Sequence, residues 1–125
     1  MLDSLYIEGS RKTPLISMDV NGKFRIEGRS IPEDASLFYS SVLEWIGKYL
    51  IRNSQQTTIE IALEYLNSGT SKYILQILKM LNEYKPESHV LTVNWYYEVG
   101  DDDILERGEY YSSILEIDIN FIETE

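Results

Sequence analysis

Between Thr57 and Ile122 the hydrophobic period of the chain changes from two to 3.6 and back again, twice. Thr57 to Leu66 alternates as a strand does, with Ile59, Ile61, Leu63 and Tyr65 on one face and Thr58, Glu60, Ala62 and Glu64 on the other. Ser68 to Tyr84 carries Ile74, Ile77, Leu78 and Leu81 at helical spacing. Lys85-Pro86 stops that helix, because proline pushes the residue before it out of the helical region. Val90 to Glu98 is the next strand. Asp101-Asp102-Asp103 starts another helix, running to about Ser112. Leu115 to Ile122 is the last strand, with Leu115, Ile117, Ile119 and Phe121 opposed to Glu116, Asp118 and Asn120. Right-handed strand–helix–strand crossovers make these three strands parallel. Parallel strands covered on both sides are apolar throughout. These alternate, so the helices are expected on one face, with the other largely open.

The first half reads differently. Leu5 to Glu8 is a short strand, and Thr13-Pro14 opens a second that runs through Asp19. Asn21-Gly22 is a hairpin turn. Lys23 to Glu27 returns with Phe24 and Ile26 inward. Ile31-Pro32-Glu33-Asp34 then reads as a helix start, with proline in the first turn and acids at the positive end of the dipole. Phe38, Val42, Trp45, Ile46 and Tyr49 follow at helical spacing, and Asn53-Ser54 ends the helix. The expected fold class is α/β: two layers, with a mixed sheet made of an N-terminal antiparallel meander plus a parallel β-α-β-α-β unit. All 125 residues are expected in one domain.

Composition narrows the function classes. Hydrophobic residues make up 43% of the chain, which argues against disorder. No apolar run approaches the ~18 residues of a membrane span. Met1 to Leu5 lacks the basic start and apolar run of a signal peptide. Cysteine is absent, which removes disulfides and thiolate metal sites. A cytoplasmic protein is expected. The net charge of −10 repels both nucleic acid and anionic membrane, and favours a protein partner with a basic patch.

Catalytic parts are missing. His89 is the sole histidine, so neither a zinc site nor a Ser-His triad can be assembled. Asp101, Asp102 and Asp103 do not have the spacing of a calcium loop, and carboxylates are favoured where a helix starts. Trp45 and Tyr49 read as core. No cleft is expected in so small a domain, and no enzyme activity, metal or cofactor is expected.

The segment from Tyr65 to Lys72 joins the C-terminal end of a parallel strand to a helix, the edge where α/β sheets place their sites. Ser68 is expected to be the helix N-cap. It is also a candidate phosphoacceptor: a phosphate there adds about −1.5 to −2 charges beside free backbone N–H groups. Gly69 and Lys72 leave open an alternative, a small nucleotide or anion bound by the same loop, although the phosphate-loop pattern is absent. A constitutive interaction subunit is the third reading. Glu60, Glu64, Glu98, Glu116 and Asp118, with Thr92, Asn94 and Tyr96, are expected on the open sheet face. Like charges facing each other across strands destabilise, so a basic partner is expected to cover that face.

Three segments together resemble one known family. They are Ile31-Pro32-Glu33-Asp34 with Phe38-Tyr39 and Glu44-Trp45; Tyr65-Leu66-Asn67-Ser68 with Lys72; and Trp95-Tyr96-Tyr97-Glu98 with Asp101-Asp102-Asp103, Glu106 and Gly108-Glu109. In this order and spacing they resemble the SiaC family of bacterial regulatory phosphoproteins, over nearly the whole chain. The resemblance implies a fold similar to anti-sigma-factor antagonist (STAS) domains and a non-enzymatic partner switch. It implies a dedicated kinase, a PP2C-type phosphatase, and an effector, a diguanylate cyclase in the family, bound by the unphosphorylated form. The family's acceptor is typically a threonine directly after the asparagine; here that position is Ser68. Gly69 departs from the small hydroxyl residues often found next, leaving Thr70 and Ser71 as secondary acceptors. The expected partner-binding residues are Tyr65, Asn67, Ser68, Gly69, Lys72, Glu60 and Glu64.

Overall fold

The computed structural model describes residues 2–52 and 56–125. Strands β1 (Leu5–Ile7), β2 (Leu15–Met18) and β3 (Lys23–Ser30) form the antiparallel meander. In the β2–β3 turn Gly22 takes a φ of 92°, and the Asp19 carboxylate accepts from the Asn21 N–H at 2.7 Å. Then come α1 (Ala35–Ile51), β4 (Gln56–Leu66), α2 (Ser68–Glu83), β5 (Val90–Glu98), α3 (Asp102–Leu115) and β6 (Asn120–Thr124). The six strands lie in chain order across one sheet, and the β3–β4, β4–β5 and β5–β6 pairs are all parallel.

The sheet is apolar on one face in two registered rows. Met18, Phe24, Ile59 and Val93 align across β2 to β5, and Ile16, Ile26, Ile61 and Trp95 form the second row. All eight are at most 2% exposed. The helices cover this face. Trp45 and Tyr49 of α1 pack edge-on to Phe24, at 5.4 and 4.9 Å between ring centroids. Tyr39 of α1 stacks on Tyr73 of α2 at 5.5 Å, and Tyr111 of α3 meets Trp95 at 5.7 Å. The two-layer mixed α/β architecture expected from the alternation is the one observed.

Three differences from the sequence expectation bear on the site and the core. Helix α1 starts at Ala35, because Asp34 is its N-cap: the Asp34 carboxylate accepts from the Leu37 N–H at 3.0 Å. Pro32 and Glu33 precede the helix, held by an Ile31 N–H to Lys12 carbonyl bond. The expected stop at Asn53-Ser54 lies outside the described residues. Helix α3 is longer than expected and takes in Leu115. Glu116 caps it in the left-handed region at φ 54°, and the Ser112 hydroxyl donates to the Ile117 carbonyl at 2.6 Å. The last strand therefore begins only at Asn120. Ile117 still enters the core, but from the turn after the helix.

The third difference is a bulge. Gly28 pairs with Leu63 and Arg29 with Tyr65, so Glu64 is an extra residue in β4. One inserted residue flips the phase of everything after it. Tyr65, expected inward with Leu63, is 52% exposed, and Leu66 is buried in its place.

Two helical glycines separate packing from propensity. A Cβ at Gly108 would lie 2.8 Å from the Trp95 and Phe121 rings, and the Trp95 indole N–H is already tied to the Ile104 carbonyl at 2.9 Å. Replacing glycine by alanine in a helix gains roughly 1 kcal/mol of propensity, whereas overpacking a core costs about 1–3 kcal/mol. At Gly108 the clash wins. At Gly47 nothing lies within 4 Å of the added carbon. Chemical denaturation should therefore find Gly108→Ala destabilised by about 1–2 kcal/mol and Gly47→Ala stabilised by roughly 0.5–1 kcal/mol.

Candidate functional site

The head of α2 lies just past the bulge. Asn67, not Ser68, is the N-cap: its side-chain oxygen accepts from the Thr70 N–H at 2.9 Å. The Asn67 carbonyl accepts from Thr70 and Ser71, and its own N–H donates to the Ser30 carbonyl. With the cap filled one residue earlier, Ser68 becomes the first helical residue. It is exposed, and its hydroxyl has no hydrogen bond among the described residues.

The other two hydroxyls at this helix start are engaged. Thr70 is 0% exposed and donates to the Ser30 carbonyl at 3.0 Å. The Ser30 hydroxyl bridges Thr70 and the Tyr39 phenol at 2.9 and 2.7 Å. Burial pushes that phenol up to about 12, against the opposing hydrogen bonds of Ser30 and Thr70, so this chain of hydroxyls is neutral. Ser71 is half-buried. Its hydroxyl contacts the Tyr111 hydroxyl at 2.6 Å and accepts from Arg107 Nη1 at 2.7 Å. Of the three sequence candidates, Ser68 alone presents an uncommitted hydroxyl at the surface.

Contrary to the expectation of no cleft, Ser68 sits in an open groove of about 740 Å³. Glu64, Tyr65, Leu66 and Asn67 form one wall. The other comes from α3: Asp103, Glu106, Arg107 and Tyr110, with the N-cap Asp101 and Ile104. Asp101 caps α3 through the Ile104 N–H at 3.1 Å. Tyr65 and Tyr110 are more than half exposed. The groove is acidic, with four carboxylates and, among the described residues, one cation, Arg107. Asp101, Asp103 and Glu106 carried the family resemblance, but no residue of the α3 wall was among the expected partner-binding residues, and Arg107 and Tyr110 were not singled out at all. Residues 103, 106, 107 and 110 of that wall nevertheless follow the 3,4,7 spacing of a polar helix face, which was readable. No cluster of metal-ligating side chains occurs among the described residues.

The structure brings Glu64, Tyr65, Asn67 and Ser68 together, and separates the other expected contacts from them. Gly69 is half-buried, and a Cβ there would make only ordinary contacts, 3.6 Å to Asn67 Oδ1 and 3.7 Å to the Ala35 Cβ. Lys72 points away from the groove, its Nζ 5.2 Å from the Tyr73 ring centroid. Glu60 is on the opposite sheet face. There it pairs with Arg25 across the strands at 3.0 Å and accepts from the Tyr96 hydroxyl. Glu116 and Asp118 are not on that face, since neither is in a strand. The like-charge row expected there is thus absent: the cross-strand neighbours of Glu60 are Arg25 and Asn94. The Tyr96 hydrogen bond, opposed by desolvation and helped by Arg25, holds the Glu60 carboxyl below its usual range. No described helix is long and apolar enough to cross a membrane.

The same arrangement of sheet and helices recurs in solved structures. SiaC of Pseudomonas aeruginosa matches with a TM-score of 0.84 and 23% identity, over 98% of this chain and 100% of that one. The crystal structure of the diguanylate cyclase SiaD in complex with its activator SiaC, from the same organism, matches with a TM-score of 0.88 and 23% identity, over 96% of this chain and 99% of the matched chain. An uncharacterized protein of Pseudomonas aeruginosa (strain UCBPP-PA14) is 25% identical over 111 residues, 88% of each chain. The model of the SiaC family regulatory phosphoproteins matches residues 7–124. The chain belongs to the SiaC family.

Two measurements check the geometry. Asn67→Ala should cost about 0.5–2 kcal/mol of stability, the usual loss of an N-cap, while Ser68→Ala should stay within roughly 0.5 kcal/mol of the parent. Equal losses would overturn the cap assignment. The depressed Glu60 carboxyl stabilises the fold above its unfolded-state value, and that stabilisation is lost as pH falls through its folded-state value. In denaturant titrations at about pH 6 and about pH 3, Glu60→Gln should therefore lose less stability on acidification than the parent does.

Proposed function

We propose that the chain is a non-enzymatic, single-domain partner switch controlled by phosphorylation of Ser68. Unphosphorylated, it binds a downstream effector over the groove between the head of α2 and α3. The observation that carries this reading is the sorting of the three hydroxyls: Thr70 and Ser71 are engaged in the fold, whereas Ser68 is exposed and unbonded among the described residues. A kinase that reaches Ser68 need not disturb the core. Tyr65, Asn67 and Glu64 would share the interface. The effector class follows from the relative: SiaC of Pseudomonas aeruginosa is crystallised with the diguanylate cyclase SiaD as its activator. A cognate kinase and a PP2C-type phosphatase complete the switch by family resemblance.

The reading with a small anionic ligand is disfavoured. Glu64, Asp101, Asp103 and Glu106 line the groove and repel a free anion. A covalent phosphate is different, because the kinase, not groove affinity, places it. Once attached, it buries poorly under a docked partner and breaks the complex by desolvation.

The test uses protein carrying phosphoserine at position 68 by site-directed incorporation, titrated against the cyclase of the same organism. Unmodified protein and Ser68→Ala should bind and raise cyclase activity. The phosphoserine form should bind at least about tenfold more weakly, a change of about 1.4 kcal/mol. Equal affinity, or a native-cell phosphate mapped by mass spectrometry to another residue, overturns the proposal.

A further inference from the structure

Arg107 is the one cation of the groove among the described residues, yet it makes no ion pair with the four carboxylates around it. Its Nη1 donates instead to the neutral Ser71 hydroxyl, at 2.7 Å. Ser71 lies three residues after Ser68 on α2, so both side chains project from one helical face, with Cβ atoms about 5–6 Å apart. Ser68 and Arg107 also line the same groove. The Ser71 hydroxyl does not need the arginine. Tyr111 gives its proton to the Ser71 carbonyl at 2.9 Å, so the Ser71 hydroxyl donates to Tyr111 and stays partnered when Arg107 leaves.

We propose that Arg107 is the built-in counter-ion of a phosphate on Ser68, exchanging its neutral Ser71 contact for the dianion. The inference rests on Ser68 as the acceptor. The exchange is favourable because a hydrogen bond to a charged acceptor is roughly twice as strong as one to a neutral hydroxyl, and a guanidinium can grip two phosphate oxygens at once. It draws the modified side chain toward α3. It also withdraws the groove's positive charge from any partner carboxylate. Phosphorylation then acts twice, by adding anionic bulk and by occupying the arginine.

The groups facing such a phosphate are Glu64 and Tyr65 of β4 and Asp101, Asp103, Glu106, Arg107 and Tyr110 of the α3 wall. The carboxylates oppose its second ionisation and Arg107 favours it, so that ionisation reads the contact directly. The experiment is a phosphorus NMR titration of protein with phosphoserine incorporated at position 68, alone and with Arg107→Gln or Arg107→Lys. Arg107→Gln should raise the second phosphate pKa by about one unit. Arg107→Lys, which keeps the charge but loses the fork, should lie in between. The same value in all three proteins overturns the proposal, as does a rise in Arg107→Lys equal to that in Arg107→Gln. The measurement needs neither kinase nor effector. A native phosphate found elsewhere would remove the Ser68 reading, while this titration would still report whether Arg107 grips a phosphate at that position.

Discussion

Two rows of apolar side chains, in register across four strands, hold the rest of the molecule in place. Met18, Phe24, Ile59 and Val93 form one, and Ile16, Ile26, Ile61 and Trp95 the other. Because strand side chains alternate, all eight point to one side, and only that side can be the core. Three helices must then cover the same face, and right-handed crossovers carry α1, α2 and α3 there in turn. The aromatic contacts of Phe24 with Trp45 and Tyr49, and of Trp95 with Tyr111, are the seams of this cover. At Gly108, α3 approaches the Trp95 indole closely enough to exclude a methyl group.

The bulge at Glu64 links that core to the site. Without the extra residue, Tyr65 would enter the core and Leu66 would face solvent. With it, Leu66 is buried, Tyr65 stands at the groove wall, and Asn67 arrives where its side chain can cap α2. Capping by Asn67 frees Ser68 from structural duty. The buried chain Tyr39–Ser30–Thr70 meanwhile fastens the first turn of α2 to β3 and α1. A helix start tied down in this way presents, among the described residues, Ser68 as its uncommitted hydroxyl, which suits a switch that changes charge without changing fold.

Charge is arranged differently on the two sides of the sheet. On the side away from the helices, Arg25 lies between Glu27 and Glu60, and Tyr96 completes the cluster. There the arginine is ion-paired to both carboxylates. In the groove, four carboxylates stand against one arginine among the described residues, and none of the four pairs with it. Uncompensated charge is the more responsive kind, because adding a phosphate there changes the local balance while the Arg25 cluster stays satisfied.

Element type, order and parallel pairing were legible from Ile59, Ile61 and Leu63 and from the stripe Ile74, Ile77, Leu78 and Leu81, because hydrophobic period follows backbone geometry locally. The strand Val90–Glu98 was legible to the residue. The family, too, was legible from its three segments. Boundaries decided by single side chains were not. Asp34 against Pro32 and Asn67 against Ser68 involve residues equally at home in either role, and the nearby backbone N–H groups choose between them. Glu116 as a left-handed cap takes a conformation that a glutamate rarely adopts, so the residue type gave no sign of it. The phase slip at Glu64 left no mark in composition, since Tyr65 is as apolar as the position it vacated. Membership of the groove depended on α3 packing beside the head of α2, a contact between residues about forty apart in the chain, as between Ser71 and Tyr111. The sequence by itself therefore determined the layers, the strand directions and the set of candidate hydroxyls. The tertiary structure decided which hydroxyl is free and which arginine stands beside it, because burial and pairing are properties of distant segments brought together.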